Sequence, residues 1–244
     1  GRSVKVTTQP LNMQLFNSQE DVDARKRRIL EPYDEEEPNA IVLLGNSAFI
    51  LFREELEGRW RDIPVVLCAD NDNVSSIEAC ISKQDLDPQK EEPLAEAVKG
   101  MNLTIVKCPI YVEQTVKTMK ELLPEMERLV LISDRRYVCA QVRHEVEEVV
   151  TRKFPDIKVS HLTNGSFTMD QVLDSIRSYD HTTGILYYSW IQVNEQLGNS
   201  YIYANNYKIM TGLASNPIFS LMDVNIHSGE MAGGCFYLGK DLGR

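Results

Sequence analysis

The chain has 244 residues, 43% of them hydrophobic and 25% charged, which excludes intrinsic disorder and a long coiled coil and leaves enough apolar material for a packed core. With 26 basic against 36 acidic residues the formal charge is −10, which argues against nucleic acid or an anionic membrane as the main partner. No stretch approaches the roughly 18–20 apolar residues of a membrane span, and the abrupt start Gly1-Arg2-Ser3 reads as a piece cut from a longer polypeptide that carries any anchor elsewhere.

Val4 to Thr8 reads as a first strand. Ser18 is placed to cap a helix with Asp21 at its third position, and Val22, Ile29, Leu30 and Tyr33 lie near one face until Pro38. The basic cluster Arg25 to Arg28 is flanked by acidic residues and reads as a solvated helix face, not a phosphate site. Ala40 to Asn46 is then the first of six short apolar runs stopped by a small polar or charged group. The others are Pro64 to Asp70, Thr104 to Pro109, Leu129 to Asp134, Gly184 to Ser189 and Pro217 to Asp223. Continuous Val/Ile/Leu runs predict parallel strands covered by helices on both faces.

Helical spacing fills the gaps. Asn46 caps a helix over 47–58, Val112, Val116, Met119 and Leu123 form a stripe before Pro124, and Val138, Val142, Val146, Val149 and Val150 form another before Pro155. Thr168 with Gln171 has the form of a capping box, with Val172, Leu173 and Ile176 behind it. Asn71 to Met101 breaks the rhythm. It is long and polar, with Pro88 and Pro93, and predicts either a flap or short-helix insertion beside the crevice or a plain surface excursion.

Alternating strands and helices predict right-handed βαβ units and a doubly wound α/β fold. The length allows one large domain or two lobes of about 100–120 residues, and two are favoured. Ligands of such sheets bind beyond the carboxyl ends of the strands, so the polar terminators are the candidate site.

The motifs of common chemistries are missing from the sequence. There is no GxSxG, and Gly229 to Gly234 is neither a Walker loop nor GxGxxG, so it reads as a turn or close-packing site. His144, His161, His181 and His227 are scattered, and Cys68, Cys80, Cys108, Cys139 and Cys235 have no metal-ligand spacing and leave the redox compartment undecided. No catalytic residue, metal or cofactor is expected. Asp70 with Asp72 reads either as ligand acceptors or as turn residues.

A binding palette does accumulate at the strand ends. It comprises Asn46 and Ser47; Asp70 and Asn71; Tyr111; Asp134, Arg135 and Tyr137; Asn164; Ser189 and Trp190; and Asp223. Tyr188 and Trp190, two apart on one strand, are expected to face the same way, either packed under a helix or with Trp190 capping a ligand.

Three phrases in order, Asn39 to Ala48, Thr115 to Pro124 followed by Leu129 to Asp134, and Asn216 to Phe219 with Gly229 to Gly234, resemble the type I periplasmic-binding-protein superfamily. The nearest branch is the ABC-transporter substrate-binding-like domain that serves as extracytoplasmic sensor of bacterial hybrid two-component histidine kinases. The resemblance implies a two-lobed clamp, each lobe a doubly wound parallel sheet, with residues 1–111 and 230–244 in lobe 1 and 112–229 in lobe 2. It implies a periplasmic, non-enzymatic sensor with closure as the signal; Asp70, Asp134 and Asp223 offer acceptors for an ammonium or hydroxyls, and Arg135 and Arg136 offer donors for a carboxylate, so an amino acid, a small sugar or an aromatic metabolite fits as ligand. It also implies a strand and helix before Ser3 to Thr8 and a further helix after Leu238-Gly239. Lobe 1 is therefore expected to be incomplete, rearranged or completed by a second copy in a homodimer. Two other functions stay open: a substrate-binding protein of an ABC importer, and an α/β enzyme.

Overall fold

A computed structural model describes residues 4–194, 199–201, 204–223, 226 and 229–237. In chain order its elements are α1 (Gln19–Leu30), β1 (Ile41–Leu44), α2 (Asn46–Glu57), β2 (Val65–Ala69), β3 (Asn73–Val74), α3 (Ile77–Ser82), β4 (Glu92–Pro93), α4 (Leu94–Ala97), β5 (Leu103–Lys107), α5 (Val112–Leu122), β6 (Arg128–Ser133), α6 (Tyr137–Lys153), β7 (Lys158–Thr163), α7 (Met169–Ser178), β8 (Thr183–Tyr187), β9 (Gln192–Asn194), β10 (Asn199–Tyr201), α8 (Ala204–Leu213) and β11 (Ile218–Ser220). All six apolar runs are strands, and they divide three and three between two parallel sheets. One has the order β1-β2-β5 and the other β11-β8-β6-β7. The class is α/β with parallel sheets, as the alternation predicts.

The helix starts follow their local chemistry. Ser18 and Asp21 form a reciprocal capping box at α1, and Thr168 and Gln171 form another at α7. At α2 the cap is displaced by one: Asn46 is the first helical residue and Gly45 precedes it with φ +85°.

The four-stranded sheet is covered on both faces. Val116, Met119, Val142 and Val146 of α5 and α6 pack on Leu129, Leu131 and Leu186, while Val172, Ile176 and Met210 of α7 and α8 pack on Val130, Ile132 and Ile185. Its edge strand β7 alternates in burial, because one edge strand half open to water needs no continuous apolar run. That is why no apolar run announced it.

The three-stranded sheet departs from expectation. Leu43, Val65, Leu67 and Ala69 pack on α1 and α2 through Val22, Ile29, Phe49 and Phe52. The opposite face is bare: Val42 is 64% exposed, Leu44 74% and Val66 36%. Val4 to Thr8 forms no strand, and among the described residues nothing pairs with the outer edge of β1. The alternation in β1 and β2 is thus the signature of a sheet covered on one side, and both-face coverage holds only for the larger sheet.

The segment after β2 is a folded insertion. β3 and β4 pair antiparallel, with α3 and a 3-10 turn between them. It grips α6 of the other half. Tyr137 Oη donates to Glu91 at 2.6 Å, Gln141 Nε2 to the Asn73 carbonyl at 3.0 Å, Arg143 Nη2 to Asp85 at 3.2 Å, and Arg135 Nε to the Lys83 carbonyl at 3.2 Å. Residues 71–101 are thus a short-helix insertion held against α6, and none of them lines the cavity.

The tail was expected to return to lobe 1 from Glu230. Instead Gly233 bridges Phe219, Ser220 N donates to the Gly233 carbonyl at 2.7 Å, and Cys235 N donates to Thr115 Oγ1 at 3.0 Å, so residues 232–235 run along the larger sheet. Among the described residues the tail meets the first half at Phe236 and Tyr237, which line the cavity between the sheets.

Candidate functional site

The carboxyl ends of both sheets converge on an open cavity of about 570 Å³, a volume usual for a small-molecule site. From the smaller sheet it is lined by Leu44 and Gly45 after β1, Cys68 and Asp70 at the end of β2, and Cys108 to Ile110 after β5. Across from them stand Tyr188 after β8 and Leu221 to Asp223 after β11, with Phe236 and Tyr237 of the tail closing the wall.

Asp70 is built in from two strands. Its Oδ1 accepts the Asn46 amide at 3.0 Å, and Asn46 Oδ1 accepts the Asp70 amide at 3.3 Å, a reciprocal pair that ties the first turn of α2 to β2. Asn46 Nδ2 donates to the carbonyls of Asn71 and Asn73 at 2.8 and 2.9 Å. The buried Asn46 is therefore fully used in shaping the rim. Burial pushes the Asp70 carboxyl up; the Asn46 amide and the Arg136 charge oppose this without cancelling it. Gly45 is required beside it on two counts. Its φ of +85° strains any L side chain, and a Cβ there would lie 2.9 Å from Asp70 Oδ2. Gly45→Ala is expected to cost about 1–3 kcal/mol in a chemical melt and to displace the Asp70 carboxylate.

Tyr188 and Tyr237 have phenols pushed up above their ordinary range, and the Cys68 thiol is also pushed up, each chiefly by burial. At neutral pH these groups are protonated donors. The formal negative charge on the wall belongs to Asp70 and Asp223, and among the described residues no Lys, Arg or His lines it.

Beneath the cavity Asp134 is the centre of a closed network. Arg136 Nε donates to its Oδ1 and Nη2 to its Oδ2, both at 2.9 Å, the Arg136 amide and the Cys139 thiol donate to Oδ1 at 3.0 Å, and the Ile191 amide donates to Oδ2 at 3.2 Å. Burial raises the Asp134 carboxyl, yet the charge and hydrogen bonds of Arg136 outweigh it and hold the group below the ordinary range. Arg136 Nη2 continues to Ser189 Oγ at 2.6 Å, and Asn164 Nδ2 donates to the Ile191 carbonyl at 2.6 Å.

Of the twelve residues read from the sequence, Asp70 and Asp223 line the cavity. Asn46 and Asn71 shape its rim, and Ser47 lies against Cys80 at the start of α2. Asp134, Asn164 and Ser189 serve the network below, and Arg135 and Tyr137 hold the insertion. Tyr111 precedes α5 next to the lining residue Ile110. Trp190 is 2% exposed in the core between the larger sheet and α7/α8, while Tyr188 belongs to the core on the other face. The same-face reading of that pair fails because β8 ends at Tyr187 and the strand period stops with it. Leu44, Cys68, Cys108, Leu221, Phe236 and Tyr237 were missed. The usable signal was that two aromatics, Phe236 and Tyr237, follow Gly233-Gly234 after a single residue.

No protein-family model matches the chain, and no curated protein matches it. Among solved structures it is similar to an ABC domain from Streptococcus pneumonia in complex with L-Trp, at 12% identity and a TM-score of 0.49. The alignment covers 82% of this chain and 62% of that one, so the chain spans less than two thirds of its length.

One titratable group lies at the insertion rather than in the cavity. Burial, with Asp72 and Glu148 adding repulsion, pushes Glu145 on α6 up to about 7 from an ordinary 4.5. A raised carboxyl means that the folded chain holds its proton more tightly than the unfolded chain does. Stability therefore falls as pH rises from about 4.5 to 7 and stays lower above that window. Glu145→Gln is expected to be more stable than the parent at pH 8 by about 1–2 kcal/mol, discounted for partial exposure, with the difference gone at pH 4. Denaturant melts at both pH values check this.

Proposed function

We propose that the chain is a non-enzymatic sensor domain of the type I periplasmic-binding-protein kind, taking a small molecule in the cavity between its two sheets. The observation that carries this reading is the convergence of five parallel-strand ends, three from one sheet and two from the other, on one cavity of about 570 Å³. A ligand there touches both halves at once, so its affinity depends on their separation and biases closure by that difference. The order of the three phrases at Asn39, Thr115 and Asn216 favours the extracytoplasmic sensor of a hybrid histidine kinase. Among the described residues no helix is long and apolar enough to cross a membrane.

The test is a thermal-shift screen of amino acids, sugars, amines and aromatic acids, followed by calorimetry and by mass analysis of the recovered compound. A true ligand at 100 times its Kd stabilises the fold by about 2.7 kcal/mol and comes back unchanged. Conversion of the compound would sink the non-enzymatic reading, and a flat screen would sink the binding reading. The parent gene tests the context: a transmembrane helix and kinase domain following this region mark the sensor.

A further inference from the structure

We infer that the cavity selects an organic cation: a protonated amine carried on an aromatic or branched apolar body, its ammonium group on Asp70. This deepens the small-molecule reading and rests on it.

Three observations converge. The first is the sign of the wall. Asp70 and Asp223 are its ionisable acids, no described Lys, Arg or His lines it, and the phenols and the Cys68 thiol beside them stay protonated at neutral pH. The cation whose charge acts on Asp70, Arg136, is already engaged by Asp134 and Ser189 and does not line the cavity. Arg135, the other candidate for a ligand carboxylate, is turned to the Lys83 carbonyl. An anionic ligand would meet two carboxylates and no counter-charge.

The second is the geometry of Asp70. Its Oδ1 is held by the Asn46 amide, and Oδ2 projects past Gly45, where the missing Cβ leaves room for a close approach. Among the described residues no side chain donates to Oδ2. A fixed carboxylate with one oxygen spoken for presents the other as a charge-assisted acceptor for an N–H donor.

The third is the remaining lining. Phe236, Tyr237 and Tyr188 contribute three aromatic rings, and Leu44, Ile110 and Leu221 contribute aliphatic surface. Aromatic faces attract ammonium groups, and the aliphatic wall suits an uncharged body better than a polyhydroxylated one. The chain's net charge of −10 adds a long-range attraction for cations.

The experiment is calorimetry at pH 7.5 and low salt with four probes of one shape: 2-phenylethylamine, 2-phenylethanol, 3-phenylpropionate and L-phenylalanine. The amine is expected to bind at one site at least about tenfold more tightly than the other three, a difference of about 1.4 kcal/mol. Asp70→Asn keeps the acceptor for the Asn46 amide and is expected to remove the amine's advantage over the alcohol. Asp223→Asn is a second variant, expected to weaken the amine if Asp70→Asn does not fold. Equal or tighter binding of the acid, the amino acid or the alcohol overturns the cation inference and leaves small-molecule binding standing. An amine advantage indifferent to both variants overturns it too. Silence of all four probes together with the flat screen described above overturns both readings.

Discussion

Asp134→Ala is expected to destabilise the chain by about 3–5 kcal/mol, because it strips the partner from a guanidinium that the fold has already taken out of water. Arg136 gives Nε and Nη2 to that carboxylate and sits with a side chain only 26% exposed. The Ile191 amide and the Cys139 thiol lose an acceptor in the same step. Asp134→Asn keeps both oxygen and shape but presents an amide N–H toward one of these donors, so a smaller loss is expected. Urea melts of the two variants read the ordering. A loss below about 1 kcal/mol for alanine would place the network on the surface-salt-bridge scale and contradict its burial.

Gly234→Ala is the second large effect. A Cβ at this position would fall inside the carbonyl oxygen of Ser220, and backbone of a buried strand end cannot swing away as a flexible side chain does. The tail must lift instead, which breaks the bonds from Ser220 N to Gly233 O and from Cys235 N to Thr115 Oγ1. Two hydrogen bonds and the overpacking together predict a loss of about 2–4 kcal/mol. The variant links stability to binding, since Phe236 and Tyr237 lie just beyond Cys235 and form one wall of the cavity. Faster labelling of Cys235 by a thiol reagent and weaker ligand binding are both expected. Unchanged labelling would show that the tail does not depend on this contact.

The strands were legible because burial on both faces, or on one face with an apolar rim, writes itself into composition over a few residues. The two capping boxes were legible because a cap is local chemistry: Ser18 with Asp21 and Thr168 with Gln171 need only each other. What failed was non-local. Asp134 stands at a strand terminus as Asp70 does, yet one is enclosed by Arg136 and the other faces a cavity, a distinction set by residues two and tens of positions away. Trp190 left its expected face because β8 stops at Tyr187, and β7 went unseen because an edge strand alternates. The aromatic wall was hidden because a tail's destination is a tertiary fact.

The bare face of β1-β2-β5 also has a kinetic consequence. Ile41 and Gly45 donate their amides to the β2 side, so those of Val42 and Leu44 point to the unpaired edge, with their side chains in water. A sheet clad on one side loses little apolar burial when its outer strand peels away, whereas β6 and β8 lie between two layers of helices. Amide hydrogen exchange should therefore divide the molecule in two: β1 opens by local fluctuation within the native state, and β6 and β8 exchange only when the whole larger half unfolds. The cavity lies on the boundary between these two regimes, so occupancy there should slow exchange in β1 first.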